Sequence, residues 1–365
     1  MRSKRGVILL LGVAVSILLL VLLWPRPKAK VLYRVIVLPS FGGLNTIPTA
    51  INNHGQIVGY SEATDGSCHL CLWEPNGYVQ DLGPAVHTRY YLNDAGQIAG
   101  MMRDPNRNYV AFIRERAGGT RTLGTLGGME SVAQGLNNRG QVVGWLRTAD
   151  GLKHAFVWDQ TTGMQDLGPP WGDGGEARAI NDRGQIIGVS DGRASWPTLW
   201  TPAGPAWVAE PLRSLFGGSD INSDGYMAGW QSFPEGRRCM VLWRLGDLPK
   251  VLFPIDYEIN RWCAINDANQ VLFTEWHHHV LDSLAPGRLL PFPVKNYLWD
   301  PNLGHVALDP QVTTKRGEIL QLFDLNNSGC MVGRVMGHDW TGGITYARPV
   351  LLEPIPERWG KRPER

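Results

Sequence analysis

The amino-acid sequence predicts an all-β protein, a seven-bladed β-propeller of four-stranded repeats of about 44 residues, preceded by one N-terminal transmembrane helix. Three observations lead to this fold class. A nine-residue motif recurs seven times along the 365-residue chain, and each copy lies among short segments of β-strand character. The two ends of the repeat region complement each other. An apolar run of nineteen residues precedes the repeats.

The repeated motif reads Ile/Leu-Asn-Asn/Asp-x-Gly-Gln-Ile/Val-x-Gly in its clearest copies. Its asparagines are separated by 41, 44, 44, 41, 44 and 60 residues, so the sixth unit carries an insertion of about sixteen residues. The first four copies are strong, and the last three are weaker. The seven copies begin at Ile51, Leu92, Leu136, Ile180, Ile221, Ile265 and Leu325.

The third unit illustrates how one repeat is expected to fold. Residues 131–136 predict a first strand, and 137–140 predict a turn, because asparagine tolerates left-handed backbone conformations and glycine adopts positive φ without steric cost. Residues 141–145 predict a second strand because β-branched residues suit a pleated surface. Residues 154–158 and 164–168 follow as third and fourth strands. Four strands in such a unit are typical of a propeller blade.

The ends of the repeat region favour a closed ring over an open solenoid. The seventh unit stops after its third strand at 350–352 and lacks a fourth. A strand-like segment at 31–38 precedes the first unit, and the Phe-Gly-Gly-Leu sequence that follows it matches residues 123–128 between the second and third units. We therefore predict that residues 31–38 supply the fourth strand of the last blade, because this pairing removes two open sheet edges.

Residues 6–24 carry no charge and, at about 1.5 Å per helical residue, nearly match a hydrocarbon core of about 30 Å. A cleaved secretory signal begins in a similar way, but its apolar core is shorter and ends at small residues. Here Trp24 and a linker at 25–30 follow the run. We interpret residues 6–24 as an uncleaved signal anchor.

This interpretation divides the chain into a short cytoplasmic segment at 1–5, the anchor, the linker, a propeller at 31–354 and a loosely ordered tail at 355–365. The basic residues on the two sides of the anchor are nearly balanced. Long domains cross the membrane largely regardless of flanking charge. We therefore expect the propeller to lie outside the cytoplasm, in the periplasm or at the cell surface.

Charge argues against nucleic acid as a partner. The first thirty residues hold six basic and no acidic residues, so residues 31–365 carry 29 basic and 33 acidic residues and a net charge of −4. Duplex-binding domains normally present a basic surface. The five cysteines cannot all pair because their number is odd. A domain of this size can bury enough apolar surface to fold without disulfides, and we expect a monomer.

Three segments of the repeat region resemble the HAF repeat, which is named for a His-Ala-Phe sequence. They are LGTLGGMES from Leu123, HAFVW from His154 and INDRGQIIG from Ile180. This repeat occurs in bacterial proteins described as probable extracellular repeat proteins. The resemblance covers about residues 38–352 and is strongest in the first four units. It implies export and repetition, and it supplies no catalytic residues.

No motif predicts a metal site or a cofactor. The Cys-x-x-Cys of Cys68 and Cys71 lacks a second half, and neighbouring residues among His277–His279 would alternate between the faces of a strand. The recurrent Asn-Asp-x-Gly lacks the distal glutamate of a calcium loop, so we interpret it as a turn. The motifs of nucleophile elbows, phosphate-binding loops and zinc proteases are absent from the sequence.

The tryptophans divide into two groups. Trp73, Trp158, Trp200 and Trp243 end the third strand of their units, and this periodic position indicates packing between blades. Trp171, Trp262 and Trp340 break the period. Binding residues usually lie on loops of a rigid scaffold. We therefore expect them in the links from the fourth strand of one blade to the first strand of the next, around the mouth of the central channel.

The candidate ligand-binding residues are those that depart from the repeat in these links. Each is also compatible with an ordinary solvated loop residue. They are Arg89, Tyr90, Trp171, Asp173, Glu176, Arg178, Asp256, Tyr257, Glu258, Arg261 and Trp262.

The sequence thus predicts a membrane-tethered binding or scaffolding module, without catalytic activity, for a glycan or an extracytoplasmic protein. Strand and turn roles explain the strongly repeated residues. The alternative is an extracytoplasmic glycoside-active hydrolase or lyase with carboxylates on the channel-mouth loops. Such carboxylates come from separate blades and leave no linear motif.

Overall fold

The computed structural model describes residues 33–168, 173–191, 196–202, 204–207, 215–233, 237–255, 259–276, 294–308, 318–338 and 344–355. Within these ranges the regular elements are twenty-eight β-strands. The predicted anchor at 6–24, its flanking segments at 1–5 and 25–30, and the tail beyond Ile355 lie outside them. No helix among the described residues has the length and hydrophobicity needed to cross a membrane.

The strands form seven antiparallel four-stranded sheets, which confirms the seven-bladed propeller predicted from the repeat. The first strand of each blade contacts the first strands of the neighbouring blades, so these seven strands surround the central channel.

Each of the first six blades takes four consecutive strands, in order from the channel outward. Blade 1 consists of β2 (Gly42–Ile51), β3 (Ile57–Ala63), β4 (Cys68–Trp73) and β5 (Val79–Pro84). Blade 2 consists of β6 (Tyr91–Leu92), β7 (Ile98–Arg103), β8 (Tyr109–Arg114) and β9 (Thr120–Thr122). Blade 3 consists of β10 (Glu130–Leu136), β11 (Val142–Arg147), β12 (Lys153–Asp159) and β13 (Gly163–Gly168).

The next three blades repeat this order. Blade 4 consists of β14 (Gly174–Ile180), β15 (Ile186–Asp191), β16 (Trp196–Thr201) and β17 (Gly204–Trp207). Blade 5 consists of β18 (Leu215–Ile221), β19 (Tyr226–Ser232), β20 (Arg238–Arg244) and β21 (Lys250–Ile255). Blade 6 consists of β22 (Ile259–Ile265), β23 (Val271–Trp276), β24 (Val294–Asp300) and β25 (Gly304–Ala307).

Blade 7 combines the two ends of the repeat region. Its inner strands are β26 (Ile319–Leu325), β27 (Met331–His338) and β28 (Ile344–Pro354), and its outermost strand is β1 (Tyr33–Val37). Tyr33 pairs with Pro354, and Val37 pairs with Val350. The ring therefore closes through the strand pairing that the two ends of the sequence predict.

The last glycine of the motif allows close backbone contact between the first two strands of a blade. In blade 3, a Cβ atom on Gly144 would lie 1.9 Å from the carbonyl oxygen of Val132. The register of β10 and β11 shifts between Ala133 and Gly135, which indicates a β-bulge at this place. A larger residue at position 144 would therefore push the two strands apart.

Apolar side chains fill the spaces between neighbouring blades. Trp73 of blade 1 belongs to a buried cluster with Val332 of blade 7, and Trp243 of blade 5 clusters with Leu199 of blade 4. Trp158 and Trp200 pack against blades 2 and 3 in the same way. The periodic tryptophans therefore pack between blades, as their spacing predicts.

The motif asparagines form a closed ring of hydrogen bonds around the channel. The Nδ2 of Asn52 donates to the carbonyl oxygen of Asn93 at 3.1 Å, and the pattern continues from blade to blade until Asn326 donates to the carbonyl oxygen of Asn52 at 3.1 Å. All seven asparagines are buried. The intermediate donors are Asn93, Asn137, Asn181, Asn222 and Asn266.

Each asparagine also holds its own turn. In blade 3, the Oδ1 of Asn137 accepts from the backbone N–H groups of Arg139 at 3.1 Å and Gln141 at 2.9 Å. Its Nδ2 donates to the Oε1 of Gln141 at 2.9 Å as well as to Asn181. One side chain therefore fixes both the turn within a blade and the contact between two blades.

We predict that Asn137→Ala lowers the free energy of unfolding by about 3 kcal/mol, because it leaves buried donors and acceptors of two blades without partners. Urea unfolding followed by tryptophan fluorescence measures this change. Thr161→Ala, an exposed substitution in the β12–β13 hairpin, should change it by less than about 0.5 kcal/mol. Equal effects of the two substitutions would contradict the role of the ring.

Candidate functional site: the central channel

The channel opens at two ends of the propeller. At the turn face, the first strand of each blade ends in the asparagine motif. At the link face, the chain passes from the fourth strand of one blade to the first strand of the next. The sequence predicts binding residues around the link-face mouth.

A second polar ring surrounds the turn-face mouth, formed by the residues that follow the motif asparagines. The backbone N–H of Asn53 donates to the Oδ1 of Asp94 at 2.9 Å, and that of Asp94 donates to the Oδ1 of Asn138 at 2.8 Å. Asp182 and Asp267 accept in the same way from the preceding blades. The open cavity inside this ring has a volume of about 190 Å³. The motif turns thus build a polar mouth that sequence reasoning treated only as turns.

A second cavity, of about 130 Å³, lies deeper in the channel and shares Asp220 with the first. Charged side chains from several blades line this cavity. Arg89 comes from blade 2, Arg178 from blade 4, Asp220 from blade 5 and Asp324 from blade 7. These side chains depart from the repeat. At the position of Asp220 and Asp324, for example, four of the other five blades have alanine or glycine.

The two aspartates link their blades to the next ones. The Oδ2 of Asp220 accepts from the backbone N–H of Ile265 at 3.0 Å, and the Oδ2 of Asp324 accepts from that of Ile51 at 3.0 Å. Burial, together with the nearby charge of Asp324, raises the pKa of Asp220 to about 7. Burial likewise raises the pKa of Asp324 to about 6. The hydrogen bonds therefore compensate only part of the cost of burying these charges.

Arg89 reaches across the channel from blade 2. Its Nη2 donates to the carbonyl oxygen of Phe323 in blade 7 at 3.3 Å, and its guanidinium lies 5.5 Å from the ring centre of Tyr91. Its positive charge lowers the pKa of both Asp220 and Asp324 and so opposes the effect of burial. Arg89 thus connects blade 2 to blade 7, past the inner strand of blade 1.

Glu176 and Arg178 lie in β14 rather than in a loop. The Nε of Arg178 donates to the Oε1 of Glu176 at 2.7 Å, and Lys153 of blade 3 forms an ion pair with the other oxygen. Burial alone would raise the pKa of Glu176, but these two cations hold it below its ordinary value. Glu176 therefore orients Arg178 and connects blades 3 and 4.

Tyr90 does not occupy the exposed position that the sequence analysis assigned to it. Its side chain is 1% exposed and packs beside Phe112 between blades 1 and 2. Its hydroxyl donates to the carbonyl oxygen of Val86 at 2.9 Å, and its backbone N–H donates to Thr49. The short β6 begins just after Tyr90, so this residue belongs to the core and not to the surface of a link.

The structure describes three of the other candidate residues. Asp173 is exposed at the start of β14. Arg261 and Trp262 belong to β22 rather than to a link, because this strand begins at Ile259. Trp171, Asp256, Tyr257 and Glu258 lie outside the described residues. Arg89 and Arg178 are therefore the candidate residues that the structure brings together, beside two aspartates that the sequence analysis missed.

The histidine of the HAF sequence has a structural partner. The Nδ1 of His154 lies 2.8 Å from the Oδ2 of Asp166, and the Nδ1 of His69 lies 2.9 Å from the Oδ2 of Asp81. Both pairs connect the third and fourth strands of a blade. The five cysteines do not form disulfides with one another.

Solved structures confirm the fold. The chain is similar to the β-propeller domain of the Trilobed protease from Pyrococcus furiosus, with a TM-score of 0.60 and 10% identity over 85% of this chain and 96% of that one. An acylaminoacyl peptidase from Pyrococcus horikoshii gives a TM-score of 0.56, with 11% identity over 88% of this chain and 53% of that one. A puromycin-hydrolyzing peptidase from Mycobacterium tuberculosis gives 0.50, with 12% identity over 90% and 57%.

These similarities define the class of protein, a β-propeller, and no more, because the identities are low. The chain spans little more than half the length of the two peptidases. No protein-family model matches the chain, and no curated protein is significantly similar to it.

We predict that Asp220→Asn raises the melting temperature at pH 8 and that this gain shrinks toward pH 4. The raised pKa means that the folded protein keeps a proton that the unfolded chain releases. This contribution to stability is complete below about pH 4 and is lost as the pH rises through about 7. Asparagine keeps an oxygen acceptor for Ile265 without the charge.

Thermal melts of both proteins between pH 4 and 8 measure the effect. Asp224→Asn, an exposed substitution at the turn face, serves as the matched control. A gain from Asp220→Asn that stays constant across this range would show that Asp220 does not titrate in the folded protein.

Proposed function

We propose that this chain is a membrane-tethered β-propeller of the HAF-repeat type, located outside the cytoplasm, that binds a glycan or a protein without transforming it. The apolar run at 6–24 supplies the tether, and the HAF resemblance implies export. The propeller supplies a rigid ring on which binding residues are held in place.

The charged channel is the observation that carries this proposal. The repeated polar side chains make their hydrogen bonds within the scaffold, because the asparagines form the ring and the HAF histidines pair with aspartates. Arg89, Arg178 and Asp324 depart from the repeat and converge on one cavity. Charged groups with perturbed pKa values in a cleft are typical of functional sites.

The small size of the cavity favours recognition of one group of a ligand over enclosure of a whole ligand. Its volume of about 130 Å³ lies below the range of about 300–1,000 Å³ that is typical of small-molecule sites. A ligand at the link face would therefore place only one group in the channel, where Arg178 suits a carboxylate or hydroxyl group. Its remaining contacts would come from the links around the mouth.

An enzyme that cleaves glycosides, as a hydrolase or a lyase, is the second candidate. The observation that favours it is the pair of buried carboxylates, because the raised pKa values of Asp220 and Asp324 lie near the pH at which a general acid or base works best.

We predict that the full chain in detergent binds a ligand on a glycan or peptide array and that Arg178→Ala weakens this binding at least tenfold, the loss expected for one charged hydrogen bond. Trp262→Ala should also weaken it. Trp73→Ala should instead lower the melting temperature, because Trp73 packs between blades. Full binding by a folded Arg178→Ala variant would show that the site lies elsewhere.

The same preparation distinguishes binding from catalysis. Chromogenic glycosides should remain intact. Turnover that Asp220→Asn or Asp324→Asn abolishes, while the fold is retained, would establish the enzyme and overturn the binding-only proposal.

The tether is tested separately. We predict that the full chain floats with membranes after washing with high salt and sodium carbonate, because an apolar helix of this length inserts stably. A variant that lacks residues 6–24 should remain in the supernatant or be secreted. Flotation of both proteins would contradict the proposed anchor.

A further inference from the structure

Both ends of the described chain lie at the turn face. The fourth strand of a blade starts at this face, and β1 is the fourth strand of blade 7. Tyr33, its first residue, pairs with Pro354, the last residue of β28. Residues 1–32 and 356–365 therefore join the propeller at the same end of the channel as the asparagine rings.

The short linker favours the turn face of blade 7 as the side near the membrane. Between the proposed anchor and Tyr33 lie eight residues, which span at most about 29 Å when fully extended. The seven residues of β26, the innermost strand of the same blade, cover about 23 Å between the link face and the turn face. A linker that ran along the whole blade would therefore have to be almost fully extended. The turn face of blade 7 must therefore stay close to the bilayer surface.

The turn face also exposes apolar side chains at the tips of its outer hairpins. In the β20–β21 hairpin of blade 5, Leu248 is 86% exposed and Leu245 is 48% exposed. Arg244 and Lys250 flank these leucines and are exposed as well. In the β4–β5 hairpin of blade 1, Tyr78 is 63% exposed. Exposed tyrosine, and exposed leucine beside cations, are typical of a membrane interface.

The segments that join this face carry positive charge in their sequences. The linker at 25–30 contains three basic residues and no acidic one, and residues 356–365 contain four basic residues, two acidic residues and one tryptophan. Basic residues near an anionic bilayer contribute about 1 kcal/mol each to attraction. The rim carboxylates of the same face surround the channel axis. The β20–β21 hairpin at the periphery carries one exposed carboxylate, Asp247, between its two flanking cations.

We propose that the turn face is the membrane-facing surface of the propeller and that Leu245, Leu248 and Tyr78 contact an anionic bilayer. This inference rests on the proposed anchor at 6–24. The occupant of the surface is the lipid headgroup region, and not a protein. The link face then points away from the membrane, where the mouth beside Arg178 is open to ligands.

The test uses the full chain reconstituted into vesicles of phosphatidylcholine and phosphatidylglycerol. A Leu248→Cys variant receives an environment-sensitive fluorophore, and a lipid with a quencher near the headgroup reports contact. Met129→Cys is the matched control, because Met129 is an apolar residue of the link face that is 67% exposed. The native chain treated with the same reagent measures the background from its own cysteines, of which Cys71, Cys239 and Cys263 are buried.

We expect quenching at position 248 to be at least threefold stronger than at position 129, with a blue shift of the emission only at 248. Near-ultraviolet circular dichroism checks that both variants are folded. Equal quenching at the two positions, or stronger quenching at 129, would overturn the proposed orientation. A label at 248 whose emission shifts to the blue only when a protein is added, and not with vesicles alone, would overturn it as well.

The design separates this inference from the proposed tether. If the chain does not float with the vesicles, the anchor is wrong and the orientation falls with it. If the chain floats and the label at 248 is not quenched, the anchor stands and the orientation is wrong.

Discussion

A buried asparagine that donates a hydrogen bond to the next blade is the interaction on which the remaining structure depends. Neighbouring blades are joined by chain links at the link face, and these buried bonds join them at the turn face as well. Each motif asparagine uses both ends of its amide, one for its own turn and one for the following blade. The last donor reaches Asn52, so the seven bonds close on themselves.

Ring closure also determines what the channel can contain. The inner strands stand close enough for a side chain to reach a blade that is not its neighbour, as Arg89 of blade 2 does with the backbone of blade 7. In most blades the position that faces this space is alanine or glycine, whereas Asp220 and Asp324 place carboxylates there. A narrow, charged channel suits recognition of one polar group, and it makes the loops at its mouth responsible for further contacts.

Strand order links the binding proposal to the membrane. Because β1 closes the last blade as its outermost strand, the chain enters the propeller at the turn face. The same pairing that stabilises the ring therefore decides which mouth of the channel lies near a tether and which one remains accessible. If the N-terminal strand were instead the innermost strand of a blade, the chain would enter at the link face, and that face would lie near the tether.

The sequence by itself determined the repeat, the number of blades, the closing strand and the packing role of the periodic tryptophans, because each depends on a local pattern that recurs at a constant spacing. It did not reveal that Tyr90 is buried, since β6 is short and the core neighbours of Tyr90 come from two different blades. Only the tertiary structure decided the candidate site. Asp220 and Asp324 are 104 residues apart and become neighbours of Arg89 through closure of the ring, and such proximity leaves no trace in any single segment.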